Sequence, residues 1–205
     1  MNFDMISMKK RAKEIFKSNA SLMIMMTIVL LVTLYVRTIV FRQKSWQIAL
    51  GLYVLAVLIM GMLKIGYYTC ILNISRGKES EFPVLFNGFK KNAGRNLISI
   101  LIYCAGIYLA ISFLIVPGVI LFYRWRFVYF VLSDGEHNVL NAFKRSMELT
   151  KGHCLELFKI DVSFLGLYVL ELITLELAGI YVIPITMITY AEYYDYIKGQ
   201  YELVG

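Results

Sequence analysis

The stretch "IVPGVILFYRWRFVYFVLSD", Ile115 to Asp134, decides the fold. It is apolar enough to lie in a membrane, yet it carries Arg124 and Arg126 in its middle. An arginine at the centre of a bilayer costs about 2.5–3.5 kcal/mol on insertion scales, so the rest of the chain must offer these side chains something. The run before it, Leu97 to Val116, is apolar as well. One continuous helix from Leu97 to Leu132 would extend ~54 Å at 1.5 Å per residue. A hydrocarbon core is only about 30 Å thick. The chain must therefore turn, and Pro117-Gly118 is the expected hairpin turn. Proline interrupts the helical hydrogen-bond ladder, and glycine accepts a tight turn.

Composition agrees with a membrane setting. Of 205 residues, 59% are hydrophobic and 17% are charged, whereas soluble domains are about a quarter charged. The expectation is one all-α, polytopic domain over residues 1–205. Six transmembrane helices are expected at about 20–36, 46–74, 97–116, 119–133, 155–175 and 177–197, arranged as three helical hairpins. A basic amphipathic interfacial helix precedes each hairpin, at about 5–18, 82–92 and 138–151. The first apolar run lacks a small-residue cleavage pattern, so it is expected to be a span and not a signal peptide.

Charge orients this arrangement. With the N-terminus inside, the inner segments hold Lys9, Lys10, Arg11, Lys13 and Lys17, then Arg76, Lys78, Lys90, Lys91 and Arg95, then Lys144, Arg145, Lys151 and Lys198. The outer segments hold Arg37, Arg42 and Lys44. The positive-inside rule then places both termini in the cytoplasm of a multi-pass protein of the cell membrane. A five-span chain without the turn at Pro117 would put Lys144, Arg145 and Lys151 outside and weaken that bias. The net charge of +7 is read as attraction to anionic lipid of the inner leaflet, not to nucleic acid.

The interfacial helices show their faces in the sequence. Phe82, Leu85, Phe86 and Phe89 recur at helical spacing, with Lys90 and Lys91 beside them. In the third helix Val139, Phe143 and Met147 share a face, with Lys144, Arg145, Glu148 and Lys151 turned away.

The intramembrane charges form the candidate site: Lys64, Arg124, Arg126, Asp161 and Glu171. Lys64 is flanked by Gly61 and Gly66, which permit close helix approach. The acids in or beside the fifth span are Asp161, Glu171 and Glu176. Depth along the helices matches Glu171 to Arg124 and leaves Asp161 for Arg126. The two arginines point ~200° apart on one helix, so a single partner does not serve both. Such a cluster is either an ion-pair staple between helices or a polar pathway.

Other constellations read as structural. His153, Cys154 and Glu156 lack the geometry and the fourth ligand of a metal site. Asp134, Glu136 and His137 look like a solvated turn. Cys70, Cys104 and Cys154 are scattered small side chains, not a disulfide framework. The Tyr-rich end "YAEYYDYIKGQY" has the composition of an interfacial aromatic belt. No catalytic Ser-His-Asp set, phosphate loop or acid pair is visible, so neither a cofactor nor an enzymatic activity is expected.

The segment "IVPGVILFYRWRFVYFVLSDGEHNVLNAFKRSMELTKGH" resembles a known family when taken with "RAKEIFKSN", "FNGFKKNAGR" and "IPITMITYAEYYDYI". The family is the bacterial integral membrane proteins filed as domain of unknown function 975. The Pro-Gly pair, the arginines after it, the A-x-K-x-S-x-x-L-x-K-G helix and the late Pro before a Tyr-rich acidic end carry the likeness. A related pattern occurs in membrane domains attached to some glycerophosphodiester phosphodiesterases, whose catalytic domain is absent from this chain. The resemblance implies a polytopic membrane fold in a bacterium and no known activity.

Taken together, the residues lead to a non-enzymatic accessory protein. It would engage anionic lipid, a protein partner or a second copy of itself through the cytoplasmic amphipathic helices. The alternative is a small transporter or permease that uses the buried charges.

Overall fold

The arginine-bearing run is broken in two. Helix α6 spans Ile115–Arg124, helix α7 spans Val128–Ser133, and a turn at 125–127 separates them. The computed structural model describes residues 4–40, 46–90, 92–113, 115–174 and 176–204, and every regular element among them is helical. The other helices are α1 (Met5–Ser18), α2 (Ala20–Val40), α3 (Trp46–Ser75), a 3-10 helix (Phe82–Phe86), α4 (Asn87–Lys90), α5 (Ala93–Phe113), α8 (Val139–Leu149), α9 (Cys154–Ile173) and α10 (Gly179–Val204).

Three helices are long and apolar enough to cross a membrane: Gln47–Ser75, Ala93–Ser112 and Val116–Ser133. Met5–Ser18 and Ala20–Tyr35, bent by 94° to one another, make a fourth if they count as one broken span. Length and composition thus support three or four spans where six were expected. Helix α9 falls short because Glu156, Lys159, Asp161 and Glu171 interrupt its apolar run. Helix α10 falls short because its second half is rich in tyrosine and acid.

The chain reverses between α5 and α6, but not at Pro117-Gly118 as expected. Both residues lie in the first turn of α6, where a missing N–H costs no hydrogen bond. A Cβ on Gly118 would lie 3.0 Å from the backbone of Ile111, so glycine is there for close approach and not for the turn. Further contacts run antiparallel: Gly106 lies against the Trp125 ring, and the Tyr103 and Tyr129 rings are 5.2 Å apart. Helices α9 and α10 pair the same way, from Glu156 with Tyr193 through Asp161 with Tyr190 to Glu171 beside Gly179.

The second amphipathic segment differs from its expected form. It is not one α-helix but a 3-10 helix followed by one α-turn, and it presses on the middle of α3. A Cβ on Gly66 would lie 1.9 Å from the Leu85 carbonyl oxygen, and one on Gly88 2.1 Å from that of Met62. Backbone meets backbone there because glycine stands on both sides. The tighter period rotates the expected face: Leu85 and Gly88 turn inward, while Phe86 and Phe89 are 39% and 40% exposed. Phe82 is half-buried against the Phe86 ring, and Lys90 is exposed. Lys91 lies outside the described residues.

These contacts divide the molecule into two layers. In the outer layer the helices show apolar side chains on their outward faces: Leu50 and Leu55 on α3, Leu101 and Leu109 on α5, Val116 and Ile120 on α6. In the inner layer the same chain is covered by its own neighbours: most of Met60 to Ile74 on α3, with Lys64 exposed, all of Phe127 to Leu132, and most of Val182 to Ile197 on α10. Its centre is aromatic. Phe130 stacks on Tyr194 at 5.6 Å, and Phe127 lies 5.5 Å from the same ring.

Candidate functional site

Arg124 and Arg126 sit where the two layers meet, at the α6–α7 break. The break releases backbone groups that water cannot satisfy in an apolar setting. Helix α8 supplies their partners. The Ser146 hydroxyl donates to the Arg124 carbonyl at 2.9 Å and accepts from the Phe127 N–H at 3.3 Å. The Thr150 hydroxyl also donates to the Arg124 carbonyl, at 3.2 Å. Phe143 locks the same helix by an edge contact to Trp125, 4.8 Å between centroids. Helix α8 is therefore the structural brace of the break. Ala142, Phe143, Ser146 and Leu149 form its buried side. Lys144 and Lys151 are exposed, and Arg145 lies over the Tyr201 ring at 4.2 Å.

Arg126 turns into the bundle. Its guanidinium donates to Asp161 at 3.2 Å and stacks over the Tyr190 ring at 4.1 Å. Asp161 also accepts from the Tyr123 hydroxyl at 2.9 Å and from the Tyr190 hydroxyl. Three donors converge on one carboxylate, so both charges of the pair are hydrogen-bonded at the join of the layers. Arg124 plays another part: its carbonyl, braced by α8, is the group that matters. Among the described residues no ion pair joins Arg124 to Glu171, contrary to the expected pairing. Glu171 lies at the far corner of the α9–α10 hairpin, its carboxylate against Gly179. Glu176, in the same corner, takes a left-handed backbone with φ 70°. The break separates the two side chains: Arg124 closes α6, whereas Arg126 lies in the turn that follows and faces α9.

Lys64 and Arg126 line one cavity of about 300 Å³ between α3, α5 and the break. Tyr68, Tyr103, Cys104 and Tyr129 are also on its wall. Lys64 is exposed at its rim. The structure thus brings together Lys64, Arg126 and Asp161 and leaves Arg124 and Glu171 apart from them.

A second charged cluster was not anticipated. Arg76, just past α3, reaches Asp195 through Nη2 at 2.6 Å and through Nε, and it also bonds Asp134. Lys198 donates to Asp134 at 2.6 Å, and the Tyr194 hydroxyl does so at 3.1 Å. Burial alone pushes the Asp134 carboxyl up, but the hydrogen bonds from Arg76 and Lys198 outweigh it and hold the group below its ordinary range. Hydrogen bonds to Asp195 and then Asp134 push the Arg76 guanidinium up in turn. Arg11 pairs with Glu192 at 3.1 Å nearby. A groove of about 660 Å³ lies between α1, the end of α3 and α10.

The central tyrosines of α10 are not a belt at an interface, although Tyr181 and Tyr201 are exposed. Tyr190, Tyr193 and Tyr194 are fully buried, and their hydroxyls donate to Asp161, Glu156 and Asp134. Spacing held the signal: positions 190, 193, 194 and 197 share one helix face.

Residues 92–201, just over half of the chain, match the family described as "Protein of unknown function (DUF975)". The chain belongs to this family. No curated protein and no solved structure matches it. The DUF975 segment contains the break, its Ser146 brace, Asp161 and the α10 tyrosines. Lys64 and Arg76 come to the two charged clusters from outside it, on and just beyond α3.

Proposed function

We propose that this DUF975 protein is a non-enzymatic component of the cell membrane that holds anionic lipid at its cytoplasmic face. The observation that carries this reading is the rotated α4 segment. The backbone of α4 and of the 3-10 helix before it is wedged into α3, so Phe86, Phe89 and Lys90 point out of the bundle as an aromatic and basic edge. Aromatic rings and lysine together suit the headgroup zone. Lys144 and Lys151, exposed beside the α8 brace, add positive charge.

The reading includes six spans with both termini inside: α2, α3, α5, α6 with α7, α9 and α10. Three features support it. The α5–α6 and α9–α10 pairs are antiparallel. Arg11–Glu192, Arg76–Asp195 and Lys198–Asp134 gather α1, the end of α3 and the end of α10 at one end of the bundle. On α9, Leu155, Phe158, Val162, Leu165, Val169 and Leu172 form an exposed apolar stripe of ~26 Å, close to the thickness of a hydrocarbon core. This segment of α4, exposed to lipid, is also where a protein partner or a second copy would bind.

The test is lipid retention. Full-length protein in nanodiscs of mixed phosphatidylglycerol and phosphatidylcholine is expected to enrich phosphatidylglycerol around itself. Phe86→Ala, Phe89→Ala and Lys90→Glu together with Lys144→Glu and Lys151→Glu should abolish the enrichment at unchanged helical content. Equal enrichment in the variant refutes the reading. Flux of a solute across sealed vesicles, lost on Lys64→Gln, would favour the transporter alternative, for which the cavity beside Arg126 is the specific support.

A further inference from the structure

We infer that Asn96, together with Arg95, is a positioning pair that fixes the α4 edge relative to helix α8, so that the two basic surfaces meet lipid as one rigid surface. The inference rests on the lipid-engaging reading above and names what holds its two parts together.

Helix α4 cannot hold itself. It has four residues, Asn87–Lys90, and a single helical turn is unstable alone. One side of it is set by Gly88, where a Cβ would lie 2.1 Å from the Met62 carbonyl oxygen. That close approach to α3 sets a distance. The other side is set by Asn96 on α5, which is 1% exposed. Its Nδ2 donates to the Gly88 carbonyl at 2.8 Å. Its Oδ1 accepts from Arg95 Nε at 3.1 Å and from Nη2 at 2.9 Å. Chemistry allows the amide only this orientation, because a guanidinium cannot accept and a carbonyl cannot donate.

The polar contacts continue to α8. Arg95 Nη1 donates to the Glu136 carbonyl. The Glu136 carboxylate accepts from the Asn138 N–H at 2.8 Å. The Asn138 side chain then caps α8, accepting from the Leu140 N–H at 2.9 Å and the Asn141 N–H at 3.2 Å. Beside this path the Asn92 amide meets the His137 ring at 3.2 Å. The path thus runs from the Gly88 carbonyl to the N-cap of the helix that bears Lys144 and Lys151.

Apolar packing does not make this link. Between α4 and the corner that joins α7 to α8 lies a cavity of about 130 Å³, with Asn87, Asn92, Arg95, Asn96, Ser133 and His137 on its wall. Two lipid-binding patches on a rigid frame bind more tightly than the same patches on a loose one, because the second contact costs less entropy. Loss of the joint should therefore weaken lipid binding while every edge residue stays in place.

Two measurements on the full-length protein test this. Spin labels at Lys90→Cys and Lys144→Cys, in a Cys104→Ser and Cys154→Ser background, report the distance between α4 and α8 in detergent. Asn96→Leu keeps the volume and the charge but loses both bonds of the amide. It should shift or broaden the distance distribution at unchanged helical content. Arg95→Lys keeps the charge but not the two-pronged bond to Asn96, and should do the same. Unchanged distributions in both variants overturn the inference.

The second measurement is phosphatidylglycerol enrichment in mixed nanodiscs. It should fall several-fold in Asn96→Leu and in Arg95→Lys, although neither alters the net charge or an edge residue. Full enrichment alongside a shifted distribution overturns the positioning role. The two readings fail differently. Full enrichment in the variant of Phe86, Phe89, Lys90, Lys144 and Lys151 refutes lipid engagement, while the label distances still decide whether Asn96 and Arg95 fix α4.

Discussion

The two halves of the Ile115–Asp134 run behave as different materials. Val116 is 69% exposed in α6, and Phe127 is 0% exposed at the start of α7. The outer half needs only to be apolar, because lipid makes no demand for complementary shape. The inner half is a protein core, where Phe127 to Leu132 are covered by neighbouring helices and the break's backbone groups are met by Ser146 and Thr150. The arginines stand at the frontier, and that position answers why the run tolerates them. Arg126 is neutralised by Asp161 and two tyrosine hydroxyls bound to the same acid, and Arg124 contributes a braced carbonyl. The lesson is that hydropathy measured a single apolar stretch where the molecule has a lipid-facing wall joined to a core.

The contrast can be broken in several places, beginning where the effect is largest. Asp161→Ala leaves the Arg126 guanidinium without its acid and is expected to lower stability by about 3 kcal/mol, the lower end for an unpaired buried charge. Thermal unfolding in detergent would read it, and a loss no larger than that of Glu171→Ala would show that the Arg126 pair is not the one that matters. The glycines separate the layers next. Gly66→Ala drives a methyl into the Leu85 carbonyl and should cost about 2–3 kcal/mol. Gly51→Ala in the outer part of α3 meets nothing within 4 Å and should be neutral or slightly stabilising, by up to about 1 kcal/mol. Equal effects at the two sites would erase the distinction between wall and core.

Ser146→Ala removes the hydroxyl that bridges the break and should cost about 1–2 kcal/mol through an unsatisfied Phe127 N–H, while the Arg124 carbonyl keeps its bond from Thr150. Hydrogen exchange at Phe127 should accelerate with it; unchanged exchange would show that the Ser146 hydroxyl does not protect that N–H. The smallest effect concerns pH. The Asp134 carboxyl is held below its ordinary range in the folded protein, so the folded state binds its proton less readily than the unfolded chain. Its stabilisation is fully present above the unfolded value near 3.9 and is lost as pH falls through the lower folded value. Asp134→Asn should flatten the acid limb of the stability profile. An unaltered acid limb in Asp134→Asn would show that the Arg76 cluster does not couple to folding.

Much of the architecture was legible in residue order. Apolar length demanded a reversal after α5, because a helix through both runs outreaches a bilayer. The charge of Arg126 demanded an acid, and Asp161 was on the short list of candidates. The signature A-x-K-x-S-x-x-L-x-K-G was visible as a pattern, but the task of its serine was not, since a break in α7's approach has no local sign beyond Arg-Trp-Arg. The α10 tyrosines were misread because composition was weighed above their spacing. The charged cluster at Arg76 was out of reach for a plainer reason: its members are 58 to 119 residues apart in sequence.

By itself, then, residue order determined an apolar, all-helical chain with reversals at set lengths and charges that needed partners. These follow from local periodicity and from the free energy of moving each side chain out of water, both properties of short segments. Only tertiary structure decided which glycine touched which carbonyl, which acid reached which arginine, and where a lipid-facing wall became a core. Those choices depend on the relative placement of helices far apart in the chain, where a shift of one turn, ~5.4 Å, exchanges every partner.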